Sequence, residues 1–184
     1  MKYQDLWYKG KLIDNGKREC SARYEIIKSF CSSNFEHRFT VCDIGANMNY
    51  FGMRLIEDFG CSVIAFEFHQ FEMRKKAIGK VSNLMFVNHK LSIEDLELLI
   101  KCCHFDLILA LSVLHHLPGR SDKWIQLMRD LSDNVIIEFA LEDSGRTIKK
   151  IGYTIPKDGI LLGYGDSHLM NNFKRPIVLL KKYY

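Results

Sequence analysis

The chain has 184 residues, 47% of them hydrophobic and 26% charged, with a formal net charge of +4. That size and balance fit one compact domain with a sizeable core and leave no room for a second full domain. No stretch approaches the ~20 uninterrupted apolar residues of a membrane-spanning helix. The segment MKYQDLWYKGK carries charges where a signal peptide has its apolar region, so the expected location is cytoplasmic. Cys20, Cys31, Cys42, Cys61, Cys102 and Cys103 lie scattered with no C-x-x-C pair and read as buried free thiols. The mild positive charge comes from mixed signs and permits an anionic partner without requiring one.

In chain order, a predicted helix over Ser21 to Phe30 precedes a series of short apolar runs at Phe39 to Ile44, Ser62 to Phe68, Leu84 to Val87, Asp106 to Leu111 and Asn134 to Phe139. Each has the length of a buried strand. Helix-period segments fall between them at Tyr50 to Phe59, Phe71 to Val81, Ser92 to Cys103 and Asp122 to Leu131. Ser92, followed by Glu94 and Asp95, reads as a helix N-cap with acids in the first turn, and Ser121-Asp122 opens the next helix similarly. Alternation of strand and helix calls for a parallel sheet covered on both faces. Gly159 to Tyr164 and Pro176 to Tyr184 read as two closing strands.

The first sheet strand runs out into Asp43-Ile44-Gly45-Ala46-Asn47-Met48-Asn49-Tyr50-Phe51-Gly52 and then a helix. This puts a flexible turn at the carboxyl edge of the sheet, where open α/β sheets bind ligands. Gly45 lets a ligand approach the backbone closely. Glu67 ends the second strand, where an acid can accept from both hydroxyls of a ribose. The pair points to a nucleoside. The dinucleotide fingerprint G-x-G-x-x-G would need glycine at positions 47 and 50, which are Asn47 and Tyr50, and the G-K-[ST] of a phosphate-binding loop is missing. S-adenosylmethionine carries no phosphate, and its cationic groups suit an acid at the strand end, here Asp43.

The segments VCDIGANMNYFG, VIAFEFH and FDLILALSVLHHL resemble motifs of class I S-adenosylmethionine-dependent methyltransferases over roughly residues 38 to 184. The resemblance implies an α/β fold: a Rossmann-like three-layer sandwich whose mostly parallel seven-stranded sheet has an antiparallel closing strand. It would form a single domain, with residues 1–37 as an amino-terminal cap and 38–184 as the core. By the same resemblance Asp43, Gly45 and Asn47 would hold the methionine part of the cofactor, and Glu67 the ribose. Phe68 and the turn Asn88-His89-Lys90 would hold the adenine, with Ala110 to Ser112 as the floor beside the sulfonium. Asn49 stands where family members usually carry glycine, and asparagine is among the residues that tolerate positive φ. The N/D-P-P-Y/F tetrad of amino-methylating nucleic-acid enzymes is absent, Leu111-Ser112-Val113-Leu114 standing there. A base amine is therefore not the expected acceptor.

His115 and His116 follow the fourth strand of the series, where the family's acceptor would lie. A histidine, His116 before His115, could remove a proton from a hydroxyl. Glu138, Glu142 and these histidines could in principle converge on a metal, but a polar rim is the favoured reading and no metal is expected. The run Arg74, Lys75, Lys76 and Lys80 reads as a solvated helix face. The segment GYGDSHLMNNFKRP offers His168 and Arg175 to an acceptor. Arg23 and Tyr24 belong to an amino-terminal stretch able to cover the cleft. The expected activity is methylation of a hydroxyl on a small molecule or glycan. An RNA or protein methyltransferase, and a cofactor-binding pseudoenzyme or binding module, stand as alternatives.

Overall fold

A computed structural model describes residues 3–68, 81–140, 155–166 and 174–182. The chain divides into two units, Met1–Lys90 and Leu91–Tyr184. The first opens with a hairpin that the periodicity does not announce, β1 (Leu6–Tyr8) paired antiparallel with β2 (Lys11–Asp14). Its turn uses positive φ at Lys9 and Gly10, the primed geometry whose twist matches two short strands. All four residues of β2 are exposed, so no apolar alternation marks them. The Glu57 side chain anchors the hairpin, accepting from Trp7 Nε1 at 2.6 Å and from the Gly10 N–H at 3.0 Å. Upstream of the next helix, the Asp5 carboxylate accepts from the N–H groups of Gly16 and Cys20, at 2.8 and 2.9 Å.

Helix α1 spans Ser21–Asn34 and buries Tyr24, Ile27, Phe30 and Cys31 on one face. Three apolar runs then form a parallel ladder, β3 (Thr40–Ile44) beside β4 (Ser62–Glu67) and β4 beside β5 (Leu84–Asn88). Between β3 and β4 lies α2 (Tyr50–Phe59), which buries Phe51, Met53 and Leu55 and ends on Gly60 at φ 62. A glycine in that left-handed position is the common way to stop a helix. The predicted helix over 71–81 falls almost wholly outside the described residues. Cys20, Cys31, Cys42 and Cys61 are buried free thiols, while Cys102 is exposed.

The second unit begins with α3 (Ile93–Cys102). Its start is the expected one: Ser92 Oγ accepts from the Asp95 N–H at 3.2 Å, and the Asp95 carboxylate accepts from the Ser92 N–H at 2.7 Å. All five residues of β6 (Leu107–Leu111) are buried. Helix α4 (Ser121–Leu131) starts differently from expectation, with Arg120 at the cap position and no side-chain cap bond. Asp122 instead engages Arg120, its Oδ2 2.7 Å from Nη2. The indole of the buried Trp124 donates to the Pro118 carbonyl at 2.7 Å.

Strand β7 (Asn134–Glu138) runs parallel to β6. The closing pair is β8 (Ile160–Asp166) and β9 (Lys174–Lys181), with β9 antiparallel to both β7 and β8. Consequently β8 runs with β6 and β7, and the mostly parallel α/β class with an antiparallel closing strand is the one observed. Among the described residues no helix is long and apolar enough to cross a membrane.

Leu109, at the middle of β6, is 0% exposed, whereas Leu161 on β8 is 50% exposed. Leu109→Ala is expected to cost about 2–5 kcal/mol of unfolding free energy, by lost transfer energy plus a cavity, and Leu161→Ala within about 0.5 kcal/mol of none. Denaturant midpoints check the contrast, and equal losses would contradict the assignment of β6 to the core.

Candidate functional site

The chemistry-bearing turn of the first unit begins where β3 ends. Gly45, Asn47 and Asn49 all have positive φ, at 71, 48 and 59°. Only glycine adopts that region freely, and asparagine is among the least disfavoured of the others, which explains the composition of the turn. The end of β4 holds it in place. The Phe66 carbonyl accepts from the N–H groups of Gly45 and Ala46 at 2.9 and 3.1 Å. Glu67 spans two backbones, its Oε2 accepting from the Asn47 N–H at 3.0 Å and its Oε1 from the Phe68 N–H at 2.7 Å.

Among the described residues, several polar side-chain atoms of this turn are buried without a hydrogen-bond partner: Asp43 Oδ2, Asn47 Oδ1, and both Nδ2 and Oδ1 of Asn49. Asn49 is 0% exposed, and although it precedes α2 its side chain does not cap the helix. Buried polar atoms are normally paired, so four unpaired ones on three neighbouring residues make a cradle suited to a polar ligand. Burial, and after it the negative charge of Glu67, pushes the Asp43 carboxyl from 3.8 up to about 7. A cationic group placed beside this acid would favour its ionised form.

Phe68 follows β4 and is exposed. Glu67 pairs in register with Asn88, so the exposed His89 follows the adjacent strand end. These two residues and Glu67 therefore share one edge of the unit. Sequence reasoning missed Gln4, which is 3% exposed and accepts from the Met48 N–H through Oε1 at 3.3 Å. No spacing or motif marks it, because only the folded hairpin segment brings it there.

Arg23 and Tyr24 lie on α1, both buried. The guanidinium of Arg23 donates to Cys20 Sγ at 3.1 Å and sits 5.0 Å from the Phe51 ring centre. Tyr24 donates to Asp58 Oδ2 at 2.8 Å, and the Arg54 guanidinium lies 4.0 Å from its ring centre. Burial pushes the Tyr24 hydroxyl far up from its ordinary pKa.

In the second unit, Ala110 is buried within β6 and Ser112 follows that strand at φ 55. Ser112 Oγ donates to Glu138 Oε2 at 2.7 Å and accepts from Arg175 Nη1 at 2.9 Å. A short helical turn, Leu114–His116, comes next, with the rings of His115 and His116 3.9 Å apart. His115 is half-buried and His116 exposed. Arg175 pairs with Gly165, which places it where β8 ends. His168 and Glu142 lie outside the described residues, and among the described residues no group of three or more His, Cys, Asp or Glu could hold a metal ion.

Neither a family model nor a curated protein matches the sequence. Solved structures do. The kinase-methyltransferase WbdD is similar over 91% of this chain, at TM-score 0.72 and 22% identity, and this chain spans 41% of its length. The N-terminal domain of EvdMO1, solved in the presence of SAH and D-fucose, is similar over 100% of this chain and 91% of its own, at TM-score 0.61 and 14% identity. The putative methyltransferase yhhF from Escherichia coli covers 88% of this chain and 85% of its own, at TM-score 0.58 and 14% identity. The fold is that of class I methyltransferases.

The raised Asp43 pKa has a signed consequence. Between about pH 4 and 7 the native state holds a proton that the unfolded state has released, so stability falls as pH rises through that window. Asp43→Asn removes the group. In denaturant unfolding it is expected to gain on the parent protein as pH rises from about 4 to about 7; parallel pH profiles for the two proteins would contradict the buried, protonated acid.

Proposed function

We propose that the protein is an S-adenosylmethionine-dependent methyltransferase acting on a hydroxyl of a small molecule or glycan. The observation that carries the reading is the left-handed turn from Gly45 to Asn49, tied to Glu67 and lined by the unpaired polar atoms of Asp43, Asn47 and Asn49. Its chemistry fits this cofactor. The ammonium of the methionine part matches the Asp43 carboxylate, and the amides of Asn47 and Asn49 match a carboxylate and ammonium pair. Glu67 is the acid for the ribose hydroxyls, and Phe68 and His89 flank that edge for the adenine. A pyrophosphate would find side chains at Asn47 and Tyr50, where its close approach needs glycine.

The cofactor, when bound, supplies a methyl group activated by a sulfonium. The chain's own task is to bind, orient and exclude water, which provides most of the acceleration in a direct displacement. On the sequence resemblance, Ala110 and Ser112 are assigned the floor beside the sulfur, and His115, His116 and the segment that includes His168 the acceptor side. His116, exposed at its turn, is the candidate to take the hydroxyl proton as the acceptor attacks.

A sugar-type acceptor is in keeping with the neighbour solved with SAH and D-fucose. A nucleic acid is less well served, because basic side chains useful for phosphates are divided. Lys9, Lys11 and Lys17 are exposed, but Arg18, Arg23 and Arg175 are 3%, 2% and 1% exposed.

Glu67→Ala is expected to weaken S-adenosylhomocysteine binding by about 1–3 kcal/mol in calorimetry, since a charged acceptor for two hydroxyls and for the Asn47 N–H is lost. The thermal midpoint should fall as well, because the Asn47 and Phe68 N–H groups lose their acceptor. An unchanged dissociation constant would show that the ribose is held elsewhere.

A further inference from the structure

Two of the buried charges of the second unit meet at one serine. Glu138 is 0% exposed and Arg175 1%, and Ser112 stands between them at 7%. They come from three places in the chain: the end of β7, the start of β9 and the residue after β6. The Ser112 N–H donates to the Glu138 carbonyl at 3.1 Å, its Oγ donates to Glu138 Oε2, and Arg175 Nη1 donates to the same Oγ. A hydroxyl has one proton and two lone pairs, so a single serine accepts from the cation and donates to the anion. Removing one partner of such a buried ionic chain is far costlier than its net worth.

The same serine has φ 55, a conformation strained for a residue other than glycine that persists only where the surroundings impose it. Immediately after it come Val113 and the turn Leu114–His116, where the His116 N–H donates to the Val113 carbonyl at 2.8 Å. The backbone direction leaving Ser112 thus sets where both imidazoles are carried.

We propose that Arg175, Ser112 and Glu138 form a positioning relay that locks Ser112 in its left-handed conformation and so orients the His115–His116 turn. The functional meaning rests on the reading that this turn serves the acceptor. Arg175 then acts through Ser112 and not by touching the acceptor.

Histidine-specific isotope labelling of the full chain reads the turn without an acceptor, with His37 and His104 as internal references. Ser112→Gly accommodates the positive φ but has no hydroxyl; it is expected to shift the imidazole signals of both His115 and His116 while the references hold. Arg175→Met should do the same, and Arg175→Lys, which keeps a cationic donor for Ser112 Oγ, should return both signals toward the parent positions. Parent-like His115 and His116 signals in Ser112→Gly would overturn the relay. Should that variant fail to fold, identical spectra for Arg175→Met and Arg175→Lys would overturn it equally. Titrating the parent protein with S-adenosylhomocysteine separates the two claims: absence of binding removes the methyltransferase reading, while the histidine signals still decide the relay.

Discussion

Glu67 closes the turn that follows β3 by accepting from the Asn47 N–H at 3.0 Å, while the Phe66 carbonyl takes the N–H groups of Gly45 and Ala46. Three left-handed residues within five positions would not persist in an isolated chain. Here the parallel register of β3 and β4, with Ile44 opposite Phe66, brings the end of one strand to the backbone of the next. The sheet therefore makes the turn, and the turn leaves Asp43, Asn47 and Asn49 buried with unused polar atoms. The cost of those unpaired atoms is what a polar ligand would relieve.

Much of this was legible in the sequence because the governing signals are local. Buried parallel strands need continuous apolar runs, and VCDI, SVIAFE and LILAL supply them. Ser92 and Asp95 announce the start of α3 because a capping box is complete within four residues. Asn49 could replace a glycine for a reason visible in its side chain, and it does take positive φ.

What could not be read depends on distant partners. The hairpin β1–β2 has one wholly exposed strand and is held by Glu57, some fifty positions away. Arg23 and Arg175 look in sequence like ligand-facing cations, since charged side chains are rarely buried, yet both are almost fully buried. Cys20 and Phe51 surround the first, and Ser112 with Glu138 the second. Ser121 looks like an N-cap equal to Ser92, but the helix starts one residue earlier, with Arg120 at the cap position and Asp122 paired to Arg120.

The second unit answers the same problem with charge in place of a free turn: Ser112 holds its strained backbone through Glu138 and Arg175, and the histidine turn follows from it. Ligand selection by the Gly45–Asn49 turn is the claim on which the functional account stands. Calorimetric titration of the parent protein with S-adenosylhomocysteine and, separately, with NAD tests it most directly. Saturable one-to-one binding of S-adenosylhomocysteine with none of NAD is the predicted result, and saturable NAD binding with no S-adenosylhomocysteine binding would contradict it.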